Sequence, residues 1–226
     1  MTFNCTGLQG REGKTQEQLI LTIRELEQKA WRPNIIALQE CYKDRTALMK
    51  LKIEDYRPVT ASAGMQVTAL AGTQARGTRR GSVILVDNHL VVQSLDERSR
   101  EKTELIGIKI VGDTTSTYNN PIDLWTAYSG PDRDEANTFV EMLTELVNSS
   151  INRTLLVGDM NSRYQPPKYG PGRNSGSLVP IADRCHCIIR TINKWEEEGN
   201  ATILNEYGVP TTINGTTIDL AIILGQ

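Results

Sequence analysis

The sequence predicts one α/β domain in which strands outnumber helices, and three observations carry that expectation. Short apolar runs recur along the chain and stop at polar residues. Three longer stretches place apolar residues at helical spacing. The 226 residues are enough to bury one substantial core without calling for a second, so residues 1–226 are read as a single domain. Apolar residues at 38%, charged residues at 23% and a net charge of -2 describe a folded globular chain rather than a disordered one. That balance names no partner and disfavours tight non-specific binding to DNA, which needs Lys and Arg to neutralise phosphates. An enzyme that engages DNA locally and briefly escapes the objection.

The first helix opens on a capping-box pair, Thr15 and Gln18, and runs through Leu19, Ile20, Ile23, Leu26 and Ala30 until Pro33 ends it. Asn34-Ile-Ile-Ala-Leu-Gln-Glu40 is a short apolar run closing on a carboxylate, the pattern of a buried strand with Glu40 at its carboxyl end. Met65 to Arg80, rich in Gly, Thr, Ala and Arg, reads as a loop or weak strand. Gly81 to Val86, Leu105 to Val111, Ile122 to Tyr128, Thr154 to Asp159 and Thr216 to Leu224 read as strands. Helices are expected over Asp132 to Ser149, through Phe139, Val140, Leu143, Leu146 and Val147, and over Ala182 to Glu197, through Ile188, Ile189, Ile192 and Trp195. Between them Asn161 to Leu178, with its prolines, glycines, Tyr164, Tyr169, Arg163, Lys168 and Arg173, reads as a long surface loop of the kind that carries function.

Cys5, Cys41, Cys185 and Cys187 lack the paired spacing of a zinc site and read as reduced core thiols. Asn-x-Ser/Thr tripeptides begin at Asn4, Asn148, Asn152, Asn200 and Asn214, but no signal peptide and no apolar run near 18 residues accompanies them. An intracellular protein with no membrane segment is expected.

Several expected strands end on polar groups that a core normally rejects: Asn4, Glu40, Tyr128 and the Gly158-Asp-Met-Asn161 turn, with Asp219 inside a further apolar segment. Carboxylates are seldom buried unless paired or bound to a cation, so Glu40, Asp159 and Asp219 together point to one shared cationic centre. Each also has a plainer reading. Glu40 alone could be a solvated strand end, Gly-Asp-x-Asn a turn, and Tyr128 a half-buried packing residue. His89 reads as a surface turn residue and His186 as structural. The Arg76, Arg79 and Arg80 cluster suits a DNA backbone or a solvated loop equally.

The order and surroundings of these residues resemble the endonuclease/exonuclease/phosphatase superfamily, which includes DNase I, apurinic endonucleases and the endonuclease domains of non-LTR retrotransposons. Asn4-Cys-Thr-Gly-Leu8 is similar to its opening Asn-x-x-Gly-Leu, Ala37-Leu-Gln-Glu40 to its Leu-Gln-Glu, and Gly158-Asp-Met-Asn161 to its Gly-Asp-Phe-Asn. Tyr128 in Thr126-Ala-Tyr-Ser-Gly-Pro131 resembles its Tyr before a proline turn, and Thr217-Ile-Asp219-Leu220 its penultimate strand. Leu204-Asn205-Glu-Tyr-Gly208 and Pro210-Thr-Thr212 follow the retrotransposon branch.

The resemblance implies a four-layer α/β sandwich, two mixed β-sheets face to face with helices outside and the site at one edge. It also implies a magnesium-dependent phosphodiester hydrolase, with Mn2+ as the alternative ion, nicking target DNA to leave a 3' hydroxyl for a downstream reverse transcriptase, in the nucleus. Glu40 would hold the metal with Asn4 assisting, and Asp159 would orient or deprotonate the attacking water. Tyr128 and Asn161 would donate hydrogen bonds to phosphate oxygens, and Asp219 would orient a histidine. The family's closing Ser-Asp-His strand has no counterpart before Gln226, so the chain reads as C-terminally truncated, lacking its last strand or strands. Two other functions fit the same motifs: a phosphatase or phosphodiesterase acting on small phosphorylated substrates, and a non-catalytic remnant.

Overall fold

A computed structural model describes residues 1–5, 14–62, 65–67, 77–79, 81–100, 103–130, 133–150, 152–164, 186–205 and 217–225. In chain order these form β1 (Thr2–Asn4), α1 (Lys14–Gln28), β2 (Ile35–Gln39), α2 (Arg45–Leu48), β3 (Tyr56–Ala61), β4 (Met65–Val67), β5 (Gly77–Arg79) and β6 (Val83–Asp87). There follow β7 (Leu90–Ser94), β8 (Arg98–Arg100), β9 (Thr103–Asp113), β10 (Thr117–Tyr128), α3 (Arg133–Ser149), β11 (Arg153–Tyr164), α4 (His186–Glu197), β12 (Ala201–Ile203) and β13 (Thr217–Leu224).

The strands make two mixed sheets. The smaller has the order β1-β2-β6-β3, with β1 and β2 parallel and the other pairs antiparallel. The larger has the order β12-β13-β11-β10-β9-β7, with β10 and β11 parallel and β8 added on β9. β4 and β5 pair separately as a two-stranded ribbon.

Strand alternation sorts the apolar side chains into three cores, and these define the layers. Ile36, Leu38, Val83 and Leu85 face α1 and pack on Leu19 and Ile23. The opposite face of the same strands carries Ile84 and Val86, which meet Ile106, Ile108 and Leu124 of the larger sheet. On the far side of the larger sheet Leu105, Trp125, Leu156, Leu220 and Ile222 pack on Phe139, Met142 and Leu143 of α3 and on Ile188 and Ile192 of α4. Each such side chain stabilises the fold by roughly 1.5–3 kcal/mol on burial. The result is the expected α/β/β/α sandwich.

The structure adds elements that the apolar pattern did not announce. β3, β7, β8 and β12 lie at sheet edges or on the end of a neighbour, where one flank meets solvent and polar residues interrupt the alternation. β3 even contains Pro58, tolerated because the register shifts between Pro58 and Thr60. β9, β10 and β11 run longer than expected. The expected loop beginning at Asn161 is corrected at its start, since residues 161–164 continue β11 and Tyr164 pairs with Thr217. α1 stops at Gln28, before Pro33, because Ala30 turns left-handed (φ 56°) and the Trp31 N–H donates back to the Leu26 carbonyl at 2.9 Å. The Thr15 and Gln18 side chains, residues 165–178 of the expected loop, residues 182–185 of the last expected helix and Pro210-Thr-Thr212 lie outside the described residues.

Candidate active site

The site grows out of strand register. Tyr128 pairs with Asp159 across β10 and β11, and Asp159 pairs with Asp219 across β11 and β13. Tyr128 also pairs with Glu104 on its other side, across β10 and β9. Four consecutive polar positions, Glu104, Tyr128, Asp159 and Asp219, therefore form one row across four neighbouring strands. Leu124 and Ile106 share their strand faces with Tyr128 and Glu104 and point into the gap between the sheets, so the row's described side chains face the smaller sheet. The side chain of Asp219 lies outside the described residues, as does that of Asn4, whose backbone pairs with Gln39 at the end of β1.

The Gly158-Asp-Met-Asn161 segment is shaped by backbone crowding. Gly158 has φ +146°, and a Cβ there would sit 2.0 Å from the Ala127 carbonyl oxygen of β10. Only glycine fits. Asp159 is 3% exposed and accepts the Asn161 N–H at 2.9 Å, while its own carbonyl accepts from Ser129 N–H at 3.1 Å. Asn161 adopts φ 47° at the register shift and donates its amide to the Ser129 carbonyl at 2.7 Å. The turn thus locks β11 to the strand end of β10 and holds the Asp159 carboxylate in the row. The motif is a turn, and that turn places Asp159 in the row.

Glu40 reaches the row from the other sheet. Strict alternation would send residue 40 toward α1 with Ile36 and Leu38, but Glu40 takes φ 52°. This left-handed residue, costing roughly 1–2 kcal/mol, re-aims the side chain. The Tyr128 hydroxyl then donates to Glu40 Oε1 at 2.5 Å. Among the described residues the second oxygen of Glu40, which is half-exposed, accepts no hydrogen bond.

That donor set suits a hard cation. Mg2+ binds through one or two carboxylates and keeps water or substrate phosphate for the rest of its shell. Glu40, half-exposed and touching Tyr128, whose register partner is the buried Asp159, could supply such a carboxylate, although no group of three or more His, Cys, Asp or Glu able to hold a metal occurs among the described residues.

Three buried polar residues here were not singled out from the sequence. Gln39 is fully buried and Glu104 is 5% exposed, and Glu135, 4% exposed in the first turn of α3, packs its carboxylate against Gly130. Glu104 carried the same signal as Glu40, an acidic residue abutting an apolar run, but at the start of its strand. His89 lies at the far end of β6, with Nδ1 2.6 Å from Asp87 and Nε2 2.9 Å from the Asn34 amide, as a surface turn residue should. His186 begins α4, and its side chain is outside the described residues, as are Cys185 and the side chains of Arg76, Arg79 and Arg80. Cys5 and Cys41 are buried thiols, not joined as a disulfide, with their sulfurs 3.9 Å apart. Asn205 is structural, accepting the Ala221 N–H of β13 at 2.8 Å. A cleft of 530 Å³ between α1 and the Ile53–Asp55 turn contains no member of the row.

No protein-family profile and no curated protein matches the sequence. Solved structures do match over almost its whole length. The endonuclease domain of TRAS1, a telomere-specific non-LTR retrotransposon, is 19% identical with a TM-score of 0.55, covering 98% of this chain and 82% of that one. The AP endonuclease LMAP from Leishmania major is 16% identical with a TM-score of 0.61, covering 99% and 78%. A mannosyl-6-phosphatase from Bacteroides thetaiotaomicron is 11% identical with a TM-score of 0.53, covering 99% and 84%. Nucleases and a phosphatase alike share this architecture, and the chain has the DNase I-like fold of the endonuclease/exonuclease/phosphatase structures.

Proposed function

We propose that the chain is a magnesium-dependent phosphodiester hydrolase, a DNA endonuclease that nicks target DNA in the nucleus for a non-LTR retrotransposon. The observation that carries this reading is the 2.5 Å contact of Glu40, from one sheet, with Tyr128 in the polar row of the other. Two sheets that meet along most of their length through Ile, Leu and Val converge at one end on a carboxylate, a phenol and a second carboxylate. Metal-assisted phosphodiester hydrolysis can use each of those groups. The shared architecture with the TRAS1 endonuclease domain, and the resemblance of Leu204-Asn205-Glu-Tyr-Gly208 and Pro210-Thr-Thr212 to the retrotransposon branch, support the DNA substrate.

Glu40 would hold Mg2+ or Mn2+ with help from Asn4. Such an ion, when bound, polarises the scissile phosphate and neutralises charge on the leaving oxygen. Asp159 would orient or deprotonate the attacking water, its buried carboxylate kept in place by the Asn161 N–H. Tyr128 and Asn161 would donate hydrogen bonds to phosphate oxygens as charge grows on them. Asp219 would extend the acidic row beside Asp159.

Supercoiled plasmid incubated with the protein and Mg2+ is expected to relax to the nicked form, and to stop doing so with EDTA or in Glu40→Ala, with a loss of about 1,000-fold or more. Nicking that survives Glu40→Ala would sink the mechanism. Since a mannosyl-6-phosphatase has the same fold, hexose phosphates serve as the second substrate. Turnover of those with no nicking would select the small-substrate reading.

A further inference from the structure

The gap between the sheets is apolar along most of its length, filled by Ile84, Val86, Ile106, Ile108 and Leu124. Near the row it is crossed by two buried polar bridges running in opposite directions. From the smaller sheet, Gln39 donates its amide to Thr126 Oγ1 of β10 at 2.6 Å and to Thr2 Oγ1 of β1 at 3.0 Å. From the larger sheet, Glu104 accepts from Ser82 Oγ at 2.7 Å and from the Gly81 N–H at 3.3 Å.

Both bridges end beside the Glu40–Tyr128 contact. Thr126 is two residues before Tyr128 on the same strand face, and Glu104 is paired with Tyr128 in register. Gln39 directly precedes Glu40. Gly81, held by Glu104, accepts the Cys41 N–H on its carbonyl at 2.9 Å, immediately after Glu40. Gly81 also fits so closely that a Cβ would lie 2.5 Å from the Lys43 carbonyl oxygen. The turn thus gripped contains two left-handed residues other than glycine, Glu40 (φ 52°) and Tyr42 (φ 53°). Such strain persists only where the surroundings over-determine it. Released, the turn would relax and residue 40 would return toward the α1 side, away from Tyr128.

Resting on the proposed roles of Glu40 and Tyr128, we propose that Gln39 and Glu104 are positioning residues: two inter-sheet clamps that hold the strained Glu40 turn against Tyr128. A purely structural role for these buried bonds would lower stability without acting through the Glu40–Tyr128 contact.

The clamps are weakened one at a time by Thr126→Val, which removes Gln39's acceptor across the gap at nearly constant shape, and by Ser82→Ala, which removes Glu104's hydroxyl donor. Each is measured by nicking kinetics and by NMR of protein carrying 13C at the tyrosine Cζ, with the Tyr128 resonance assigned from Tyr128→Phe. Each variant is expected to lower kcat about 10-fold with KM within about twofold, the cost of sub-ångström misplacement. Thr126→Ser should restore the rate. In a Tyr128→Phe background the same substitutions should cost less than about twofold, because coupled residues are not additive.

The Tyr128 resonance should shift in both variants while those of the six other tyrosines stay. An unmoved Tyr128 resonance, or an undiminished kcat loss in the Tyr128→Phe background, overturns the clamp. If either first variant does not fold, Glu104→Gln, which keeps the side-chain shape, carries the same two readouts. A wild-type chain that nicks nothing while the resonance still moves overturns the proposed function and not the clamp.

Discussion

The two sheets bring polar groups to the same place by different means. In the larger sheet the row needs nothing but regular pairing: once β9, β10, β11 and β13 are in register, Glu104, Tyr128, Asp159 and Asp219 stand at one level. In the smaller sheet regular geometry would deliver the wrong face, and Glu40 arrives only because the backbone breaks alternation with a left-handed residue. A row set by register is shared across many hydrogen bonds and is hard to displace. A residue set by a strained turn depends on the few contacts that hold it, which is where the inter-sheet bonds of Gln39 and Glu104 fall.

Substitutions can break or sharpen that contrast. The largest expected effect is Asp159→Asn, which keeps the shape of the row and removes its central charge. Nicking should fall about 1,000-fold, in the range for a lost general base, with thermal unfolding little changed, and a loss under tenfold would argue that Asp159 is only a turn residue. Gly158→Ala attacks the register itself, because the new methyl meets the Ala127 carbonyl of a central strand pair. Urea unfolding should report about 3 kcal/mol of lost stability.

Tyr128→Phe removes the hydroxyl that meets Glu40 and keeps the buried ring. A fall in kcat of about 100-fold, typical of a lost transition-state donor, is expected with the fold intact. The smallest effect lies at the opposite end of the β9–β10 ribbon. There the Thr115 hydroxyl, then the Thr115 and Ser116 N–H groups, hold the Asp113 carboxyl down from 3.8 to about 2. A depressed carboxylate contributes stability above the unfolded pKa and loses it as pH falls through the folded one. Stability of the wild type and of Asp113→Ala should therefore differ slightly at neutral pH and converge between pH 4 and 2, with nicking at neutral pH the same in both.

Much of the site was legible one strand at a time. Glu40, Tyr128 and Asp159 each adjoin an apolar run, and a polar residue in that position is visible without any structure. Gly158 was legible as part of a motif, though not for its physical reason, the approach of the Ala127 carbonyl. The edge strands were hidden because half-exposed strands carry mixed residues. Gln39 and Glu104 were hidden because their partners, Thr126 and Ser82, are 87 and 22 residues away. No local pattern records a bond across such a gap.

Sequence alone determined the class of the fold, the central strands and the identity of the chemical groups, because alternation, helical spacing and the rejection of charge by apolar cores are local properties. Only the tertiary structure decided which groups meet. The pairing register set the polar row, and the left-handed turn at Glu40 brought the smaller sheet to it. Both depend on how two sheets pack, through forces that no single segment contains.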